Sequence, residues 1–307
     1  MSGSSSACGA RPDGSANDPR KWFHQSENRD MKKVSEDDHK DFISWAKANT
    51  ANRVYPCSIA EGFQSGDIYV NDGDEPEAAL FWHYCGFGYI SGKASEEFLS
   101  EVYEEMTSGL ERRLVLITAD DDVIAYFRDK DVLMDSRAEY VYLPKGEPGA
   151  AVESGNADVA AEIEDTGTIV EAVNAGAIAA ADFQIERIDA GNISKIGGRI
   201  IPSFSWESPE QFLKEGFGYV VLDRGRVCAV AFSAAVSSDE IDIGVETVED
   251  HRRMGLAAML ADRMCRHITG LGKKPVWAHS ISNKESMNTA LKCGFVQDRI
   301  NTVIKKK

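Results

Sequence analysis

The clearest pattern in the chain lies between residues 240 and 268. Residues 240–247 alternate: Ile241, Ile243 and Val245 fall on one side and Glu240, Asp242 and Glu246 on the other, the period of a β-strand. Leu256, Met259, Leu260, Met264 and Ile268 then recur at helical spacing, and Gly270 and Gly272 close that helix. Upstream, residues 218–222 and 227–232 read as strands joined by the hairpin turn Asp223-Arg224-Gly225-Arg226, with a second turn at Ser237-Ser238-Asp239. These three strands form an antiparallel meander that feeds the helix. Beyond it, residues 275–279 read as a buried strand, 284–292 as a helix stopped by Gly294, and 295–304 as a last strand.

The earlier half is less regular. Residues 37–49 carry a helical pattern around Phe42, Ile43, Trp45 and Ala46, and 96–106 another with Phe98, Leu99, Val102 and Met106 on one side. Residues 78–84, 114–117 and 140–143 read as strands, and Ala119-Asp120-Asp121 as a turn or helix cap before 123–127. Residues 144–181 are rich in Ala, Gly, Glu and Asp; Lys145-Gly146-Glu147-Pro148-Gly149 opens a linker, with a weak helix at 159–173. The first 30 residues are polar and lack the apolar stretch of a secretory signal, and Met31 is an alternative start. The expected organisation is a disordered tail (1–30), a smaller N-terminal α/β domain (31–144), a linker (145–181) and a C-terminal domain (182–307). In the last, a mixed, mostly antiparallel sheet is flanked by helices; the class is α/β (α+β).

Composition narrows the function. A chain of 307 residues accommodates two domains and buries roughly 75% of its unfolded surface. No apolar run approaches the ~20 residues of a membrane span, so no membrane partner is expected. A net charge of −16 argues against nucleic acid, whose phosphates it repels, and suits a cationic, amine-bearing small molecule; simple solubility explains it equally well. The six cysteines include no Cys-x-x-Cys pair and the six histidines no His-x-x-x-His pair, so a reduced cytoplasm and no metal are expected. The sequence leaves monomer and homodimer open.

The candidate chemistry sits where the alternating strand meets the helix, at Arg252-Arg253-Met254-Gly255-Leu256-Ala257. The first N–H groups of a helix lack intrahelical partners and lie at its positive end, so such a turn holds phosphate. Gly255 has no Cβ to keep an anion from the backbone, and arginine donors suit phosphate. The alternative is an ordinary turn with solvated arginines.

The order of meander, Arg-x-x-Gly-x-Ala, helix, strand, then Asn283-x-x-Ser286 and Cys293-Gly294-Phe295 resembles the GNAT superfamily of N-acetyltransferases over roughly residues 183–307. The zwittermicin-resistance type is a nearer likeness, carried by Phe183-Gln184-Ile185-Glu186-Arg187-Ile188-Asp189, Phe212-Leu213-Lys214-Glu215-Gly216-Phe217-Gly218 and Pro275-Val276-Trp277. The resemblance implies acetyl-CoA as cosubstrate, with its pyrophosphate on the Arg252–Ala257 turn and its pantetheine laid like an extra strand along Val245 to Thr247, whose N–H groups meet the oxyanion. Asn283 caps the last helix or contacts the pantetheine, its side-chain oxygen and amide being able to do both, and Ser286 contacts the cosubstrate or is a plain first-turn residue. For the general base, Glu246 is preferred as nearest the turn, with Asp242 next and a water-relayed base as the alternative. Where the family often places a tyrosine acid, seven residues after the motif asparagine, stands Ala290. Solvent then protonates the thiolate, or another residue serves; His279 is the spare acid or base, or else a hydrogen-bonded strand-end histidine. Phe204, Trp206 and Tyr219 line an acceptor pocket or, as aromatics at such spacing more often do, belong to the core. The expected activity is acetyl transfer to a primary amine of a small molecule, an antibiotic or metabolite; the rivals are a non-catalytic acyl-CoA sensor and a protein N-acetyltransferase.

Overall fold

A computed structural model describes residues 31–71, 75–108, 112–144 and 183–307. The expected tail, linker and 159–173 helix lie outside the described residues. Twelve strands form one sheet. In chain order they are β1 (Met31–Lys33), β2 (Gly66–Asn71), β3 (Ala78–His83), β4 (Phe87–Gly92), β5 (Val115–Thr118), β6 (Val132–Tyr142), β7 (Phe183–Arg187), β8 (Gly218–Asp223), β9 (Arg226–Val236), β10 (Glu240–Thr247), β11 (Lys274–Ser280) and β12 (Phe295–Lys306). Their order across the sheet is β1-β2-β3-β4-β5-β12-β6-β11-β10-β9-β8-β7. The helices are α1 (Ile43–Lys47), α2 (Val54–Ala60), α3 (Glu96–Ser108), α4 (Asp121–Arg128), α5 (Pro209–Glu215), α6 (Leu256–Gly270) and α7 (Lys284–Lys292).

The strands expected to form a meander do so: β8, β9 and β10 pair antiparallel in sequence. β9 is buried along almost its whole length because helices cover both of its faces, so it reads as a continuous apolar run rather than an alternation. On one face α6 packs Leu256, Leu260, Met264 and Ile268 into a core with Ile241, Ile243 and Trp277. On the other lies α2, whose seven residues are all buried against β3, β9 and β10. A helix buried all round shows no amphipathic period, so the sequence pattern does not disclose it. The α2 cover also changes the expected polar side of β10: Glu240 and Asp242 are buried, not solvated.

The two halves of the chain interleave. β6 precedes the expected linker yet lies between β11 and β12, pairing Val141 with Val276 and Tyr142 with Phe295. β5 in turn pairs with β12. β6 also begins eight residues before the stretch expected at 140–143; its exposed Leu133 and Met134 and charged Asp135 hide that start.

Candidate active site

A fork in the sheet organises the site. β10 and β11 pair in parallel only at Glu240, Ile241 and Asp242 with Lys274, Pro275 and Val276. Beyond that rung each strand continues with its other neighbour: β10 stays on β9 as far as Thr247, while β11 stays on β6 from Val276 to Ser280. A register shift in the β9–β10 ladder falls between Asp242 and Ile243, at the point where the strands part. The extra residue is Ala234 of β9, and such a bulge sharpens the local twist of the pair where β10 leaves β11. Each fork wall therefore offers one backbone edge without a β10–β11 partner among the described residues, room for an extended chain to pair in their place.

At the far end of β10 the chain makes a short 3-10 turn, Glu249–His251, then the predicted turn, then α6. Gly255 is the residue before the helix, at φ +88°, and Arg253 also has positive φ, +66°. That backbone sends the chain sharply into a 15-residue helix whose N-cap makes no side-chain hydrogen bond and whose first N–H groups have no intrahelical acceptor. Arg252 Nε donates to the Thr247 carbonyl at 3.2 Å, tying the turn to the end of the fork. Beside the fork, the buried side-chain atoms Thr247 Oγ1 and His279 Nε2 have no hydrogen-bond partner among the described residues. By alternation both belong to the α6 face. A polar chain seated between the strands, such as the amide-bearing pantetheine arm of a coenzyme A thioester, satisfies groups of this kind, and the turn beyond suits its phosphates.

On the α2 face the carboxylates differ. Asp242 sits on the last paired rung and is 3% exposed. Its Oδ2 accepts from the Tyr55 hydroxyl at 2.8 Å, while Oδ1 has no partner. Burial raises its pKa, opposed by Arg137, Tyr55 and the Ile243 N–H. Glu246, the expected base, is engaged: Oε2 accepts from Ile200 N–H at 3.1 Å, and Oε1 lies 3.8 Å from the Arg252 guanidinium. Gly198, at φ +131°, lets that loop close down, since a Cβ there meets Glu246 Cγ at 2.8 Å. Glu246 thus holds a loop, and Asp242 has the unused acceptor. Glu240 pairs with Arg53 at 2.6 Å.

The remaining predicted residues resolve into distinct roles. Asn283 caps α7, its Oδ1 accepting from Ser286 N–H at 3.0 Å. Ser286 Oγ accepts from Trp277 Nε1 at 3.0 Å, fastening α7 to β11. His279 Nδ1 contacts the Ser280 carbonyl at 2.8 Å. A carbonyl only accepts, so Nδ1 carries the proton and Nε2 keeps a lone pair; burial lowers the pKa of the ring. Ala290 is fully buried in the core. Val245 lines the fork wall, and Arg252, Arg253 and Met254 are exposed. Among the described residues no cluster of three or more His, Cys, Asp or Glu side chains is gathered to hold a metal.

The sequence shows no site residue before position 182, yet Tyr55 bonds to Asp242, and Arg137 and Glu139 act on it through their charge. Asn52 Nδ2 donates to Glu139 Oε1 at 3.0 Å, and burial pushes the Glu139 carboxyl up to about 7. The available signal was weak: charges at Asp135, Arg137 and Glu139, alternating inside a strand that runs into buried aromatics.

A family model described as GNAT acetyltransferase matches residues 46–304. An uncharacterised N-acetyltransferase of Bacillus subtilis, YdfB, is 24% identical over 250 residues, covering 79% of this chain and 86% of its own. A GCN5-related N-acetyltransferase-like protein from Streptococcus suis superposes with a TM-score of 0.60 at 20% identity, covering 89% of this chain and 100% of that one. A GCN5-related N-acetyltransferase from Kribbella flavida gives 0.53 at 13% identity, covering 84% and 96%. The last two similarities concern the fold.

Proposed function

The chain belongs to the GNAT acetyltransferase family and is an acyltransferase; from that premise we propose that it transfers an acetyl group from acetyl-CoA to a primary amine of a small molecule, by direct attack in a ternary complex. The observation that carries this reading is the β10–β11 fork, with a phosphate-holding turn at one end and a desolvated carboxylate at the other. When bound, acetyl-CoA supplies the thioester. The Arg252–Ala257 turn holds its pyrophosphate, and the backbone of Val245 to Thr247 pairs with its pantetheine arm and receives the oxyanion.

Asp242 Oδ1 takes the proton from the incoming ammonium. Burial suits it to the task, because a carboxyl shifted upward is a stronger base for an amine than a solvated one. Glu246 holds the 198–200 loop over the acceptor side. His279, with a lone pair on Nε2, accepts hydrogen bonds from the bound cosubstrate rather than donating a proton, and solvent protonates the departing thiolate. A small acceptor is favoured over a peptide because α2 roofs the Asp242 side of the sheet. The acidic chain favours a cationic acceptor, and the zwittermicin-resistance type fits an amino-bearing antibiotic or metabolite. The five cysteines among the described residues are free, which fits a cytoplasmic setting.

The test is thiol release from acetyl-CoA with spermidine, kanamycin and glucosamine, with products read by mass spectrometry. Acetylated product from at least one amine is expected, with Asp242→Asn lowering kcat by about 100-fold or more at unchanged KM for acetyl-CoA. An unchanged kcat in Asp242→Asn removes this residue from the base role. A second reading, an acyl-CoA sensor without chemistry, rests on Ala290 filling the core where the family often has a tyrosine; acetyl-CoA binding without product from any amine would favour it.

A further inference from the structure

We infer that Tyr55, from the half of the chain before the expected linker, is a positioning residue that holds the Asp242 carboxylate for proton transfer, so that the N-terminal half completes the active site. This rests on the proposed role of Asp242. Tyr55 and Asp242 are 187 residues apart, yet the phenol donates to Oδ2 at 2.8 Å. The Tyr55 ring is itself fixed: its centroid lies 5.1 Å from that of His83, 5.5 Å from Phe87 and 5.9 Å from Tyr89, and the side chain is 1% exposed. A phenol so wedged fixes the carboxylate in one orientation, with Oδ1 left over.

Arg137 supplies the charge. Its guanidinium lies over the Phe87 ring at 5.2 Å and acts on Tyr55, Tyr89, Asp242 and Glu139 together. The groups that bear on Asp242 are therefore Tyr55 from α2, Tyr89 from β4, Arg137 and Glu139 from β6, and the N–H of its neighbour Ile243. Tyr55 and Arg137 favour the charged carboxylate; Glu139 disfavours it. Together they keep a buried carboxylate ionisable at a place where burial alone would leave it protonated and useless as a base.

The test uses the full chain with 13C-labelled aspartate carboxyls, Asp242 being assigned by its loss in Asp242→Asn. Tyr55→Phe and Arg137→Gln should each move the Asp242 titration to higher pH by about one unit or more, and Glu139→Gln should move it lower. Arg137→Lys should restore most of the wild-type midpoint. In thiol release with the same three amines, the acid limb of kcat should follow the carboxyl, with kcat near neutrality falling about tenfold in Tyr55→Phe and KM for acetyl-CoA unmoved. A residue that merely glues α2 to the sheet would lower the melting temperature and leave the titration in place. An unmoved midpoint in Tyr55→Phe overturns the inference. Full turnover in Asp242→Asn overturns instead the base assignment beneath it.

Discussion

At the scale of single residues, desolvation sorts the carboxylates that alternation left equivalent. Glu240, Asp242 and Glu246 share one side of β10, but Glu240 is paired with Arg53 and Glu246 with a loop N–H, while Asp242 keeps an unpaired oxygen. Glu246→Gln keeps one acceptor for Ile200 N–H but loses the charge. It should raise KM for the acceptor several-fold and change kcat less than Asp242→Asn does; a loss of kcat equal to that of Asp242→Asn would return the base role to Glu246. Glu139 gives a pH signature of stability. Its folded carboxyl, near 7, lies above the ordinary value of 4.5, so its contribution is present below 4.5 and is lost as pH rises through 7. Thermal melts should therefore show wild type losing stability relative to Glu139→Gln between pH 5 and 8, by up to about 3 kcal/mol. Parallel curves for the two proteins would contradict the burial argument. None of this was legible in sequence, because what separates the three carboxylates is which atoms from residues 52–55 and 137–139 and from the 198–200 loop reach them.

At the scale of elements, the part of the site built from contiguous chain was readable and the part built by packing was not. Strand, turn and helix at 240–270 follow from hydrophobic period and one glycine, and they place Gly255 at positive φ. Gly255→Asp should abolish measurable acetyl-CoA binding, through like charge and a Cβ at the phosphate turn, while costing the fold about 1–2 kcal/mol for a left-handed backbone. Unchanged affinity would move the pyrophosphate elsewhere. The motif asparagine reads equally as cap or ligand in sequence; its Oδ1 accepts from Ser286 N–H at the start of α7, so Asn283→Ala should lower stability by about 1 kcal/mol in denaturant melts. The helix α2 escaped notice because burial on every side erases the period that identifies a helix.

At the scale of the whole molecule, the division into an N-terminal and a C-terminal unit meets a sheet in which β6 sits between β11 and β12. Residues 183–307 alone would lose the strand that holds the β11 wall of the fork. That fragment should be poorly soluble by itself and recover when co-expressed with residues 31–144; a soluble, cooperatively melting fragment would show that the halves fold separately. Pairing between distant segments is the property least visible in a local pattern, which is why the fold of the second half was legible and its dependence on the first was not. The central claim is that the fork and the Gly255 turn together hold acetyl-CoA. The most direct measurement is a calorimetric titration of the full chain with acetyl-CoA beside Gly255→Asp. Wild type should show one site per chain with a dissociation constant of roughly 1 µM to 1 mM and the variant none; no binding by wild type, or equal binding by both, would place acetyl-CoA elsewhere or nowhere.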